Sequence, residues 1–109
     1  MEMPMPAYSQ SVEFSVDPRQ QAALVTALTW VDEQFTSTCP GFMGASVQAS
    51  EDGQRVLHQV LWQSRESCEA ALRNLEAGVP DVQALTRQHR VQAARFSSYQ
   101  VASQTTPRT

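Results

Sequence analysis

The sequence predicts an α+β fold, an antiparallel sheet with helices on one face in the ferredoxin-like arrangement. Two observations lead to this prediction. The order of predicted elements is β-α-β-β-α-β, with a short extra helix before the last strand, and this is the order of the split β-α-β motif. The third strand also carries apolar side chains on both faces, so both faces of the sheet need a cover. At 109 residues the chain is long enough for one domain and too short for two.

The first strand and the first helix are predicted from the N-terminal third of the chain. Residues 8–16 alternate between apolar and polar side chains, which indicates a strand with one buried face. Its apolar positions are Val12, Phe14 and Val16. Asp17 is suited to cap a helix and Pro18 to occupy its first turn, and the helix is expected to run to about Thr36. Its apolar stripe consists of Leu24, Leu28, Val31 and Phe35.

A hairpin is predicted next, with strands at residues 42–50 and 55–62 joined by a turn at Asp52-Gly53. Side chains of a strand alternate between its two faces. One face of the third strand therefore carries Val56, His58, Val60 and Trp62, and the other carries Leu57, Gln59 and Leu61. We expect Leu57 and Leu61 to face a second sheet, which a two-fold homodimer would supply.

The last third of the chain is predicted to hold two helices and a strand. Ser64 is suited to cap a helix that runs to about Leu75, and Gly78-Val79-Pro80 interrupts it. The apolar positions of that helix are Cys68, Ala71, Leu72 and Leu75. A short helix at 81–90 and a final strand at 94–103 follow. The domain is thus expected to span residues 8–103, between a loose arm at 1–7 and a frayed tail at 104–109.

Composition argues against several classes of partner. All eight basic residues are Arg, they are scattered, and the formal net charge is −3, so a nucleic-acid surface is not expected. No apolar stretch approaches the ~20 residues that cross a bilayer, and the N-terminus lacks the features of a signal peptide, so a cytoplasmic location is expected. The two Cys and two His have no metal-ligand spacing, and the chain has no glycine-rich phosphate loop. We therefore expect no metal or cofactor.

Three short motifs resemble the antibiotic biosynthesis monooxygenase family: Pro40-Gly41-Phe42, Asp52-Gly53 and Trp62-Gln63-Ser64-Arg65-Glu66-Ser67. The resemblance covers roughly residues 8–103 and implies a dimeric α/β barrel. Members of the actinorhodin type oxidise an activated phenol or anthrone with molecular oxygen and without metal or flavin. The resemblance implies a pocket between sheet and helices with Trp62 as its tryptophan. His58 stands where those members have an Asn, and Cys68 where they have a Tyr.

Trp62 and His58 are the candidate catalytic residues. They lie on one face of the third strand, and we expect them to share a cavity between the sheet and the first helix. A buried indole N–H usually needs a partner, so Trp62 could orient a substrate oxygen. A histidine titrates near neutral pH, so His58 could be the base that makes a phenolate, which gives an electron to oxygen far more readily than the phenol. The structural alternatives are a core aromatic and a core histidine with a local hydrogen bond.

The candidate substrate-binding residues are Trp30, Phe14, Val60 and Cys68. Cys68 could equally be a core residue, and Trp30 could pack against a loop because it lies off the main stripe of the first helix. Arg87 or Arg90 could reach the pocket mouth, although surface positions are more typical of both. His89 is expected at the surface, and Tyr99 at the dimer interface.

The first functional hypothesis is a cofactor-independent monooxygenase that oxidises a small electron-rich aromatic of phenol, anthrone or quinol type with molecular oxygen. The alternative is a non-catalytic dimer of the same fold, either binding a small ligand or structural, because fold does not fix function. The third is a haem-degrading or polyketide-cyclase relative. Haem degradation is disfavoured because His58 lies on a strand and the inward face of the first strand is apolar.

Overall fold

The computed structural model describes residues 7–78 and 82–108, and within these ranges the side chains of 75–78 and 82–83 are left undescribed. Residues 1–6 of the predicted arm and the predicted helix break at Val79-Pro80 lie outside the described residues. The chain forms four strands, β1 Tyr8–Ser15, β2 Phe42–Ala49, β3 Arg55–Trp62 and β4 Ala93–Gln100. The helices are α1 Pro18–Gln34, α2 Arg65–Gly78 and α3 Val82–Gln88, with a 3-10 turn at Thr36–Thr38.

The predicted ferredoxin-like fold is confirmed. The strands form one antiparallel sheet in the order β2-β3-β1-β4, and the helices pack on one face of it. We call this the inner face and the opposite one the outer face. The largest differences from the predicted bounds are at helix ends: α1 stops at Gln34 because a 3-10 turn follows, and α2 continues past Leu75 to Gly78. The last strand ends at Gln100, three residues before the predicted end.

Local chemistry explains where α1 and the hairpin begin. The Asp17 carboxylate accepts a hydrogen bond from the backbone N–H of Arg19 at 2.9 Å, and Pro18 occupies the first turn, as predicted. In the hairpin turn the Asp52 carboxylate accepts from the backbone N–H of Gln54. Gly53 has φ 79°, a left-handed conformation that glycine adopts without steric cost.

Two buried clusters lie between the helices and the inner face, and β4 contributes no residue to either of them. The first cluster lies under α1 and consists of Phe14, Val16, Leu24, Leu28 and Val56. The second cluster lies under α2 and consists of Val60, Trp62, Cys68 and Ala71. Leu72, predicted to belong to the apolar stripe of α2, is exposed, because the stripe faces the sheet through Cys68 and Ala71.

On the outer face, Leu57 and Leu61 are half-buried among polar neighbours. The register places Ser9 between Leu61 and Tyr99, and Glu13 between Leu57 and Arg95. None of the helices in the described ranges is long and apolar enough to cross a membrane.

Candidate functional site

His58 lies on the inner face of β3 and is bonded to a residue that sequence reasoning missed. Its Nε2 lies 2.9 Å and 2.8 Å from the two carboxylate oxygens of Asp32, in α1. Both side chains are mostly buried, at 15% and 11% exposed. The pair therefore links α1 to β3 through a buried contact between two ionisable side chains.

Asp32 is buried because of its place on α1. It follows Leu28 by one helical turn, so it projects from the face that packs against the sheet. The signal was present in the sequence: a lone carboxylate at i+4 from a core leucine needs a partner. This signal was overlooked because the apolar stripe through Val31 and Phe35 already explained which face of α1 is buried.

Trp62 is buried at the end of β3 and its indole N–H is unpaired. The side chain is 2% exposed and packs edge-to-face on Phe42, with ring centroids 6.0 Å apart. Within the described part of the chain, Nε1 has no hydrogen-bond partner. An unpaired buried donor costs about 1–3 kcal/mol, so this N–H is a candidate for a bond to a ligand oxygen.

Cys68 of the second cluster contacts a polar side chain of β1. The Cys68 thiol donates to the side-chain oxygen of Gln10 at 3.5 Å, and Gln10 lies opposite Val60 in the register of β1 and β3. Burial raises the pKa of the Cys68 thiol, and the negative charge of Glu69 adds to the effect. Burial also raises the pKa of Cys39. Both cysteines are therefore neutral thiols near pH 7, and neither has the low-pKa environment of a nucleophile.

The proposed site residues fall into separate places. Val60, Trp62 and Cys68 lie together in the second cluster. Phe14 lies in the first cluster, fully enclosed by core side chains. Trp30 is 53% exposed on the outside of α1, where its ring contacts Phe35 edge-to-face.

His58 and Trp62 share the inner face, but they contact different helices. His58 bonds to α1, whereas Trp62 packs with the residues of α2. An open groove of about 400 Å³ between α1 and β2 is lined by Asp32, Phe42 and Val47, among others, and its lining includes neither His58 nor Trp62. The cavity shared by these two residues stays a prediction.

The cationic candidates lie away from Trp62. Arg90 lines an open groove with Asp17 and Arg19 at the start of α1, and that end of the sheet is opposite Trp62. Arg87 is exposed in the last turn of α3. His89 is half-buried rather than on the surface. Over residues 7–78 and 82–108, no three His, Cys, Asp or Glu side chains gather closely enough to hold a metal ion.

Comparison with known proteins identifies the family. Residues 7–87 match the sequence profile of the antibiotic biosynthesis monooxygenase family, and this match covers most of the chain. The chain belongs to this family. Membership supports a monooxygenase function of the general type found in the family. No curated protein matches the sequence at a significant level.

Solved structures with the same fold include two oxygenases. One is a monooxygenase from the gene ActVA-Orf6 of Streptomyces coelicolor in complex with nanaomycin D, with 23% identity, coverage of 97% of this chain and 96% of that chain, and a TM-score of 0.78. Another is SnoaB, a cofactor-independent oxygenase from Streptomyces nogalater, with 15% identity, 94% and 99% coverage, and a TM-score of 0.64.

A third neighbour is a dimeric ferredoxin-like protein from an uncultured marine organism, with 13% identity, 98% and 97% coverage, and a TM-score of 0.77. All three identities are low, so these likenesses establish the fold and leave substrate and oligomeric state open.

Proposed function

We propose that the protein is a cofactor-independent monooxygenase that oxidises a small electron-rich aromatic of phenol, anthrone or quinol type with molecular oxygen. The observation that carries the proposal is the buried indole N–H of Trp62, which lacks a partner among the described residues. A donor left unpaired in a mostly apolar cluster suits a ligand that presents one oxygen and an apolar ring system. Family membership supports oxygen chemistry rather than simple binding.

The chemistry needs a base and a donor. His58 takes the proton of the substrate, and the Trp62 N–H stabilises the negative charge that develops on the substrate oxygen. The anion gives one electron to molecular oxygen, and recombination of the substrate radical with superoxide forms a carbon–oxygen bond. The peroxide anion takes the proton back from His58 and becomes a hydroperoxide. The hydroperoxide loses water, which carries away one oxygen atom and the hydrogen of the attacked carbon, and the other oxygen atom stays on the substrate as a carbonyl. Val60 and Cys68 would contact the ring system from the second cluster, while Phe14 and Trp30 lie outside that cluster.

The functional unit of this proposal is a homodimer in the cytoplasm. The helices of the described residues lie on the inner face of the sheet, and a second copy would cover Leu57, Leu61 and Tyr99 on the outer face. The free thiols of Cys39 and Cys68 fit a reducing compartment.

The test is oxygen consumption with a hydroxyanthrone-type substrate, comparing the wild type with two variants. His58→Gln keeps an N–H that can bond to Asp32 but removes the base, so the rate should fall roughly 100-fold or more. Trp62→Phe keeps a buried ring but removes the N–H, so it should mainly weaken substrate binding. A normal rate in His58→Gln on a substrate that the wild type oxidises would contradict the assignment of the base.

A ligand-binding protein of the same fold is the second candidate. It is favoured by the ion pair itself, because the His58 ring is already bonded to Asp32 under a different helix from Trp62. This candidate would be supported over the enzyme if the wild type binds the anthrone but consumes no oxygen, and if Trp62→Phe loses the binding.

A further inference from the structure

We infer that Asp32 is a positioning residue that holds the neutral His58 ring in the Nε2–H tautomer and so leaves Nδ1 as the basic nitrogen. The catalytic consequence of this inference rests on the proposed function, whereas the tautomer does not. Asp32 belongs to none of the three motifs that resemble the family.

The geometry decides which nitrogen carries the proton. Both oxygens of Asp32 lie within 2.9 Å of the same ring nitrogen, Nε2. An ionised carboxylate only accepts hydrogen bonds, so Nε2 must be the donor. A neutral imidazole has one N–H, and placing it on Nε2 leaves the lone pair on Nδ1.

Burial makes this arrangement obligatory for Asp32. Its side chain is 11% exposed, and in the part of the chain that the structure describes it forms an ion pair with His58 and with no Arg. A buried carboxylate without a donor is strongly destabilised, so the Nε2–H tautomer is favoured over the alternative.

The remaining surroundings of His58 do not compete for the ring. Its cross-strand neighbours on the inner face are Val12 and Val47, and the next inward positions of β3 are Val56 and Val60. When His58 takes a proton from a substrate, the new positive charge lies beside the Asp32 carboxylate in an apolar setting, which stabilises the cation. Asp32 thus acts through His58 without touching the substrate.

The tautomer can be measured without any substrate. In ¹⁵N-labelled wild-type protein, two-bond nitrogen–proton correlation spectra distinguish the two neutral ring forms by the chemical shifts of Nδ1 and Nε2. We expect the Nε2–H form for His58, with His89 as the internal comparison. Asp32→Asn should produce a mixture of forms, because an amide both donates and accepts. The control is Glu33→Gln, which neutralises the adjacent exposed carboxylate and should leave the His58 signals unchanged.

The catalytic consequence is tested on the same proteins. Asp32→Asn should lower kcat for oxygen uptake by about 10-fold or more with little change in KM, since it disturbs the base rather than the binding surface. Glu33→Gln should keep the wild-type kcat.

The outcomes separate this inference from the proposed function. A wild-type His58 in the Nδ1–H form overturns the inference, and this result needs no variant to fold. A shifted tautomer in Asp32→Asn with unchanged kcat overturns the catalytic role of Asp32. The Nε2–H form in a wild type that consumes no oxygen with any anthrone or quinol supports the inference and counts against the proposed function.

Discussion

Two side chains on the inner face of β3 differ in whether their polar atoms have a hydrogen-bond partner. His58 is bonded to a buried carboxylate, whereas the Trp62 N–H has no partner in the described ranges. The difference follows from the helices above them, because α1 offers Asp32 while α2 offers Cys68 and Ala71. The paired group thus contributes to the stability of the fold, and in the proposed function the unpaired N–H bonds to a ligand oxygen.

The His58–Asp32 pair should show strong coupling in stability. Asp32→Ala removes the partner of a largely buried histidine, and His58→Ala leaves a buried carboxylate uncompensated, so each single change should cost about 3 kcal/mol or more. The double variant should cost clearly less than the two single costs added together, with a coupling of at least about 1 kcal/mol. Urea unfolding of the four proteins measures this. Additive costs would show that the contact contributes little in solution.

Most of the fold prediction came from the alternation of side chains along the strands. The partner of His58 was missed because it depends on the position of α1 on the sheet. The bounds of β3 and the separation of Val56, His58, Val60 and Trp62 from Leu57 and Leu61 followed from a two-residue period that tertiary packing preserved. The partner of His58 could not be predicted in the same way. Asp32 is remote in sequence, and which helical turn meets which strand position depends on how α1 crosses the sheet.

The turn into β2 depends on one glycine. Gly41 has φ 85°, and its carbonyl accepts from the backbone N–H of Gln63 at 2.8 Å, which links the start of β2 to the end of β3. A Cβ at this position would overlap the Ser67 side chain in the first turn of α2. The close approach of these elements forms the end of the sheet that holds Trp62.

Gly41→Ala should therefore destabilise the protein, by roughly 1–3 kcal/mol from the left-handed backbone and the contact with Ser67. Gly44→Ala is the matched control, because a Cβ there meets nothing within 4 Å. The control should be neutral or slightly stabilising, since glycine within a strand is entropically unfavourable. Thermal unfolding of both variants gives the comparison. Equal losses would mean that the backbone at Gly41 relaxes without cost.

The described helices cover the inner face of the sheet except at β4, where Phe96 is 68% exposed, and they leave the outer face uncovered. The described helices lie over the inner face, and the outer face shows Leu57, Leu61 and the exposed ring of Tyr99 among serines and a Glu13–Arg95 cross-strand pair. A second copy related by a two-fold axis would place the same mixed surface against itself, which is the self-complementary contact that a symmetric dimer requires. Two leucines and a tyrosine interspersed with polar residues give the outer face the mixed composition that protein–protein interfaces commonly have.

We therefore expect a dimer at micromolar concentration that Leu61→Glu dissociates. Full burial of a leucine contributes about 1.5–3 kcal/mol. Because Leu61 is already half-buried in the single chain, dimer formation gains only part of this energy from it. A glutamate at position 61 would be buried near its copy in the partner or would prevent the two sheets from closing together. If this costs about 3 kcal/mol of binding free energy, the Kd of the dimer weakens by about 100-fold. Leu72→Glu, on the exposed side of α2, is the matched control and should stay dimeric.

Sedimentation velocity measures all three proteins. A monomeric wild type would contradict the proposed assembly, and a dimeric Leu61→Glu would place the contact elsewhere, for example at the edge strands β2 or β4, where backbone pairing does not depend on Leu61.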